Sequence, residues 1–336
     1  MKAWEVREAT GLDGLVLNRE RAEPQPGYGQ IVVRVRAASL NYRDQGVSKG
    51  VYGYTKFPVI PLSDGAGEVA AVGPGVTQFK AGDRVAGTFF VNWTGGRIPA
   101  DAAHNSLGGM VDGMLTEYAL LNETGAIKIP AHLSFEEAAT LPCAALTAWN
   151  AVVETARIKA GETIALLGTG GVSCFALAFA KLHGAFVFMT SSSDDKLARA
   201  KALGADVIIN YRATPDWDQE IKKHTGAGVD HVVEVGGANT LEKSMSAVRP
   251  GGSIYVIGAL AGAGSINPRS INRKGIRLQG IHVGSRDMFA DMNRAIGLHK
   301  LKPAIDRVFA FDDAKAAYAH QQSGQHCGKI VIAVAP

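Results

Sequence analysis

The sequence predicts an α/β protein: a parallel sheet wound with helices on both faces, joined to a β-rich part. Three observations carry this. From about residue 133, short apolar runs alternate with helix-like stretches, the pattern of βαβ units around a parallel sheet. A glycine turn, GTGGVS (168–173), stands between one apolar run and the helical stretch that follows it. The first 125 residues instead cluster β-branched residues between Gly and Pro punctuation, as strands do.

In chain order, IVVRVRAASL (31–40) and GEVAAVG (67–73) read as strands. Residues 86–116 hold many Gly, Asn and Asp with weak periodicity and read as a long surface loop. SFEEAATL places Ser134 three residues before Glu137, the capping-box spacing of a helix start. TIALLG (163–168), AFVFMT (185–190), DVIINY (206–211), DHVVEVGG (230–237) and GGSIYVIG (251–258) read as buried strands, each separated from the next by a helix-like segment such as SDDKLARAKALG (193–204). RLQGIHVG (277–284) adds a further strand. The tail after about residue 288 holds a helix, DDAKAAYAHQQ, and a last strand, KIVIAV.

Composition narrows the class. With 46% hydrophobic and 20% charged residues the chain is globular, and its 40 glycines among 336 residues exceed the usual share of about 7%, as turns and close backbone approaches require. The net charge of +4 is spread without a Lys/Arg run, so no nucleic-acid partner is expected. MKAWEVREAT is charged from the start, and the most apolar stretch, 163–180, is broken by Gly168, Gly170 and Gly171; neither a signal peptide nor a membrane span is expected. Three cysteines, at 143, 174 and 327, make no disulfide framework and fit a reducing cytoplasm.

The turn at 168–173 is a dinucleotide signal because of its context. Glycines let backbone N–H groups approach a pyrophosphate, and the helix N-terminus adds a favourable field. Gly170, Gly171 and Val172 are the expected contacts; Ser173 takes the place of the last Gly of the G-x-G-x-x-G pattern, slightly enlarging the helix–strand contact. The second strand ends Thr190-Ser191-Ser192-Ser193, with the acids delayed to Asp194 and Asp195 and with Lys196 one turn into the helix. An acid at that strand end reads the ribose 2′-hydroxyl of NAD. Hydroxyls and a cation suit a 2′-phosphate, which only accepts hydrogen bonds and is negative, so NADPH is the expected cofactor.

With TLPCAALTAW (140–149), GTGGVS, TSSSDDK (190–196) and LGADVIINY (203–211), the chain resembles the medium-chain dehydrogenase/reductase superfamily over essentially its whole length. It is most similar to the zinc-free branch of quinone oxidoreductases and enoyl reductases. The resemblance implies a GroES-like catalytic domain from both chain ends (1–125 and 288–336) around a Rossmann cofactor domain (126–287), a cofactor in the cleft between them and a homodimer. Zinc-dependent members carry Cys-x-x-Asp at the place of Asn41-Tyr42-Arg43-Asp44, His-Glu at the place of Ser63-Asp64, and a third ligand at the place of Cys143. Amide and hydroxyl oxygens are poor zinc donors, and residues 90–115 lack the four cysteines of the structural zinc lobe. No metal is therefore expected. Without a Lewis acid, hydride addition to a quinone or an α,β-unsaturated carbonyl, whose charge spreads over a conjugated system, is the expected reaction on a small-molecule substrate.

The resemblance places Asn41, Tyr42 and Asp44 at the substrate end: Tyr42 as donor to the substrate oxygen, Asn41 orienting it. Tyr52 and Tyr54 are further wall or donor candidates. On the cofactor side it implies Thr147 near the carboxamide, Ser192, Lys196 and Tyr211 at the adenosine phosphate, and Gly258, Ala259, Leu260, His282, Val283 and Gly284 flanking the nicotinamide. Two other readings stay open: an alcohol dehydrogenase with a degenerate metal site at Asp44, Asp64 and Cys143, and a non-catalytic NADPH-binding sensor.

Overall fold

The computed structural model describes residues 1–53, 55–258 and 264–334; Tyr54, Ala259 and Leu260 lie outside them. Packing divides the chain into two units, Met1–Leu146 with Gly284–Pro336, and Thr147–Val283. The boundaries fall at 146/147 and 283/284 rather than at 125/126 and 287/288. The reason is that residues 126–146 pair and pack with the β-rich unit.

In that unit β1 (Ala3–Val6) and β2 (Leu15–Asn18) form an antiparallel ribbon. Next come β3 (Gln30–Leu40), α1 (Tyr42–Ser48), β4 (Asp64–Val72), β5 (Arg84–Gly87), β6 (Tyr118–Asn122), β7 (Ala126–Lys128) and α2 (Phe135–Ala138). Ser134 caps α2: its hydroxyl accepts from Glu137 N at 3.2 Å while Ser134 N donates to the Glu137 carboxylate at 2.8 Å, the reciprocal bonds anticipated from the spacing. A longer helical stretch follows, with wide turns at Leu141–Ala145 and Asn150–Thr155 on either side of α3 (Leu146–Trp149).

The second unit alternates strand and helix: β8 (Thr163–Leu166), α4 (Gly171–Leu182), β9 (Phe186–Ser191), α5 (Asp194–Ala202), β10 (Val207–Asn210), α6 (Trp217–Thr225), β11 (Val229–Glu234), α7 (Ala238–Ala247), β12 (Val248–Val256), α8 (Pro268–Lys274) and β13 (Arg277–Gly280). Its six strands are parallel, in the order β10-β9-β8-β11-β12-β13. The winding reverses between β8 and β11, and in such sheets ligands bind beyond the carboxyl ends of the strands at that switch point.

The chain then returns to the first unit with α9 (Arg286–His299), β14 (Ile305–Ala310), α10 (Ala314–Gln322) and β15 (Lys329–Ala333). β15 runs antiparallel to β3, with Ile330 opposite Leu40. The larger sheet has the order β14-β15-β3-β4-β5-β7, with β6 also on β3.

One expectation is corrected. Residues 86–116 are irregular but do not form a surface loop: Leu107, Met114 and Leu115 are fully buried, and Phe89, Phe90 and Trp93 nearly so. Apolar residues that enter a core singly, without helix or strand spacing, leave no periodic signal.

Candidate active site

The end of β3 delivers Asn41 to the start of α1. Asn41 N donates to the Asp44 carboxylate (Oδ2) at 2.7 Å, and Asp44 N returns a bond to Asn41 O at 3.0 Å. Beside it, the turn before β4 presents Ser63 and Asp64, both fully buried. That turn is tightly clamped: Leu62 has a φ of 66°, and a Cβ on Gly108 would lie 2.7 Å from the Leu62 backbone. Arg43 holds the same loop, donating to Leu107 O at 2.8 Å and Ser106 Oγ at 3.1 Å, with its guanidinium 4.7 Å from the Phe89 ring centre. Its side chain is thereby bound to the fold.

These residues form one buried network. Asn41 Nδ2 donates to Ser63 Oγ at 3.4 Å, and Ser63 Oγ donates to Asp64 Oδ1 at 2.8 Å. Asp64 Oδ2 accepts from Cys143 N at 3.3 Å. The cation among them is Lys329, at the start of β15 and 3% exposed. Its ammonium donates to Leu40 O and Asn41 Oδ1, both at 2.6 Å, and stands 3.5 Å from Asp64 Oδ2. Sequence reasoning missed it, although a lysine heading an apolar strand next to the chain end was a usable signal.

Electrostatics follow burial. Desolvation raises the Asp44 carboxyl from 3.8 to about 7, against the pull of Arg43 and the Asn41 N–H and with a further push from Asp64. Its second oxygen, Oδ1, is buried without a hydrogen-bond partner. Burial, then the Asp64 carboxylate, pushes the Cys143 thiol well above its ordinary range, which disfavours the thiolate that a nucleophilic role needs. Tyr42 opens α1 and is 60% exposed. Tyr52 lies against the same helix, where a Cβ on Gly46 would come 2.7 Å from its ring. Positions 42 and 46 share a helix face, so α1 carries an aromatic surface beside the buried network.

In the second unit, the turn after β8 is built by Gly168 (φ 73°) and by Gly170, which precedes α4. A Cβ at either would meet nothing within 4 Å, so the turn borders open space with N–H groups at a helix start. Ser173 is buried and its hydroxyl donates to Leu167 O at 2.6 Å; it ties helix to strand where the motif has a glycine. Gly171 and Val172 form the first turn of α4.

The carboxyl end of β9 brings together the residues singled out there. Thr190 and Ser191 are buried, Ser192 and Lys196 half-buried, and Ser193 precedes α5 without a side-chain cap bond. Tyr211 is brought alongside by its N–H bond to Ser191 O at 3.0 Å. Asp194 is committed elsewhere, accepting from Asn210 Nδ2 at 2.7 Å.

The other expected cofactor residues are placed as follows. Thr147 is buried and His282 exposed. Val283 has a φ of 50°, and its carbonyl accepts from Asn150 Nδ2 at 2.8 Å. A Cβ on Gly284 would lie 2.8 Å from Leu146, and one on Gly258 would lie 2.1 Å from Val235 O, so both glycines serve close packing. Glu234 was not anticipated. Fully buried at the end of β11, its carboxylate accepts from Gly236 N at 2.7 Å, Gly237 N at 3.0 Å, Thr240 Oγ1 at 2.7 Å and Ser244 Oγ. It shapes the turn that follows β11, the strand next to β8 at the switch point.

Comparison with known proteins joins these features. Residues 27–131 match the family model for an alcohol dehydrogenase GroES-like domain, and residues 171–297 the model for a zinc-binding dehydrogenase. A zinc-type alcohol dehydrogenase-like protein of Schizosaccharomyces pombe is 43% identical, with 97% of each chain covered. The chain belongs to the medium-chain dehydrogenase/reductase superfamily. Within the superfamily it is also 28% identical to human quinone oxidoreductase, over 96% of this chain and 93% of that one. It is 31% identical to a 2-methylene-furan-3-one reductase of Solanum lycopersicum, over 99% and 79% respectively. A crystal structure of an NAD-dependent alcohol dehydrogenase superposes with a TM-score of 0.90 at 33% identity, each chain covered completely. The chain is thus an oxidoreductase of this superfamily, with a GroES-like domain and a Rossmann-like parallel sheet.

The superfamily implies two groups, and the residues fit one of them. A dinucleotide pyrophosphate suits the open space over Gly168 and Gly170 at the start of α4. A zinc ion does not suit the ligand places at 41 and 63: the Asn41 amide oxygen accepts from Lys329 and the Ser63 hydroxyl is bound to Asp64, and amide and hydroxyl oxygens are poor zinc donors.

Proposed function

We propose that the protein is a zinc-independent, NADPH-dependent reductase of quinones or α,β-unsaturated carbonyls. The observation that carries this reading is the buried Asn41–Ser63–Asp64–Lys329 network, which puts hydrogen-bonding groups and a fixed ammonium where a metal-dependent member needs three zinc donors. When bound, the reduced nicotinamide supplies the hydride. The protein's own task is then to hold the acceptor's oxygen while negative charge grows on it, and to deliver a proton. Tyr42, whose phenol carries an O–H donor, is the proposed donor, assisted by the Asn41 amide; Tyr52 and Tyr42 supply a wall for a flat acceptor. Relatives named quinone oxidoreductase and 2-methylene-furan-3-one reductase agree with such acceptors.

NADPH is favoured over NADH by Ser192 and Lys196 after β9 and Tyr211 after β10, hydroxyls and a cation suited to a 2′-phosphate, while Asp194 is bound to Asn210. We further place the protein in the cytoplasm as a homodimer, free of nucleic acid and membrane. Supporting this are its three cysteines, none of them in a disulfide, and the exposed edge strand β13; no helix among the described residues is long and apolar enough to cross a membrane. An alcohol dehydrogenase using Asp44, Asp64 and Cys143 is the rival reading. Against it, Asp64 already serves Ser63, Cys143 N and Lys329, and Asp44 caps α1.

The test is a panel of quinones, enones, ketones and alcohols with NADPH and NADH, read by nicotinamide absorbance, on protein assayed for metal. Reduction of quinones or enones that survives chelation supports the reading. Turnover confined to alcohols and ketones, with about one zinc per chain lost together with activity, would overturn it.

A further inference from the structure

Lys329 has no role in the reading above beyond its charge, yet its geometry decides what Asn41 can do. An asparagine amide is nearly symmetric in shape, and its hydrogen-bond partners decide which end is oxygen. Lysine offers donors only. With Nζ 2.6 Å from the amide, Asn41 must turn its oxygen to Lys329 and its NH₂ away. Strand register builds this arrangement: Ile330 stands opposite Leu40, so the preceding Lys329 is carried beside Asn41. Leu40 O and Asn41 Oδ1 accept hydrogen bonds from the ammonium, and Asp64 Oδ2, 3.5 Å away, balances its charge. A buried cation so partnered has no alternative placement that does not strand a charge.

We propose that Lys329 is a positioning residue that locks the Asn41 amide as a hydrogen-bond donor to the substrate oxygen; the proposal rests on the reductase reading. One amide N–H goes to Ser63 Oγ, the acceptor that the described residues offer it. The other is left for a ligand at a residue that is 8% exposed. A charge-assisted bond on the amide oxygen draws electron density from the nitrogen and strengthens those N–H donors. A donor so fixed selects for an oxygen that gains negative charge, which a quinone or enone carbonyl does on accepting hydride.

The test compares wild-type protein with Asn41→Asp, Lys329→Arg and the charge-balanced pair Lys329→Met/Asp64→Asn. It measures kcat and KM for a reducible quinone, NADPH affinity by fluorescence, and Tm. Asn41→Asp keeps the shape and the acceptor facing Lys329 but has no N–H to give. It should fold and bind NADPH as wild type does and lose roughly 10²–10³-fold in kcat. The Met/Asn pair lets the amide turn over, so kcat should fall about tenfold or more, while Lys329→Arg, still a donor-only cation, retains more activity than the pair. Wild-type kcat in Asn41→Asp, or in a folded Met/Asn pair, overturns the proposal. If neither Lys329 variant folds, the Asn41→Asp result decides alone. A wild-type protein that reduces no quinone or enone at all defeats the reductase reading first, and this proposal with it.

Discussion

Asp44 shows how one buried carboxyl ties stability to pH. Its folded value of about 7 lies above the ordinary 3.8, chiefly through desolvation. The folded state therefore holds a proton that the unfolded chain releases, and its contribution to stability is full below about pH 4. It is lost as pH rises toward 7 and stays lost above that. At about 1.4 kcal/mol per pH unit, the span is worth on the order of 4 kcal/mol. Asn keeps the oxygen that accepts from Asn41 N and carries no charge, so Asp44→Asn should be more stable than wild type at pH 8 and should lose this advantage by pH 4. Urea midpoints across that range test it; a difference between the two proteins that does not vary with pH would count against it. Tyr42 belongs to the same scale. If its hydroxyl stabilises the developing oxyanion, Tyr42→Phe should lower kcat by about 10²–10³ with NADPH affinity unchanged, and more for an enone than for a quinone, which accepts hydride more easily. Equal rates for the Tyr42→Phe and wild-type proteins on both substrates would make Tyr42 a wall residue only.

At the scale of elements, the proposed preference for NADPH rests on the residues where β9 meets α5. Lys196→Ala should weaken NADPH binding by roughly 1–3 kcal/mol, as for a charge-assisted contact, and leave NADH nearly unchanged. Titration of both nucleotides checks this, and an equal loss for both would show that Lys196 does not read the 2′-phosphate. These elements were legible in the sequence because they are local. β8, β9, β10, β11 and β12 are apolar runs set between helix signals, and the Gly168 turn announces itself by its neighbours. β1, β2, β5, β6, β7 and β14 were not read, being short strands whose identity comes from partners distant in sequence; Ala3 meets Asn18 and Tyr118 meets Arg34 only after folding. The candidate site divides in the same way. Asn41, Ser63 and Cys143 could be located by motif. Lys329, separated by most of the chain from Asn41, enters through the β15–β3 register, and Glu234 through a turn it builds itself.

At the scale of the whole molecule, the sheet of the second unit ends abruptly. β13 pairs with β12 on one side, and all four of its residues, Arg277–Gly280, are exposed. At the opposite edge β10 is partly covered, with Ile209 buried. An uncovered edge carries unpaired N–H and C=O groups and invites another strand. A second copy meeting it across a two-fold axis would pair antiparallel and continue the sheet. Four residues bury far less than the roughly 1,200–2,000 Å² of a stable interface, so more surface must join. α8, Pro268–Lys274, precedes β13 in the chain and has no buried residue, which makes it the surface to recruit. Leu278 is 36% exposed at the middle of this edge, and a carboxylate there would face its own symmetry mate. Leu278→Asp should therefore convert a dimer into a folded monomer, with NADPH affinity retained because the proposed 2′-phosphate site at β9–α5 lies elsewhere in the sheet. Sedimentation at micromolar concentration checks both halves of the argument. A wild-type protein that sediments as one chain removes the dimer, and a Leu278→Asp protein that remains a dimer moves the interface off this edge.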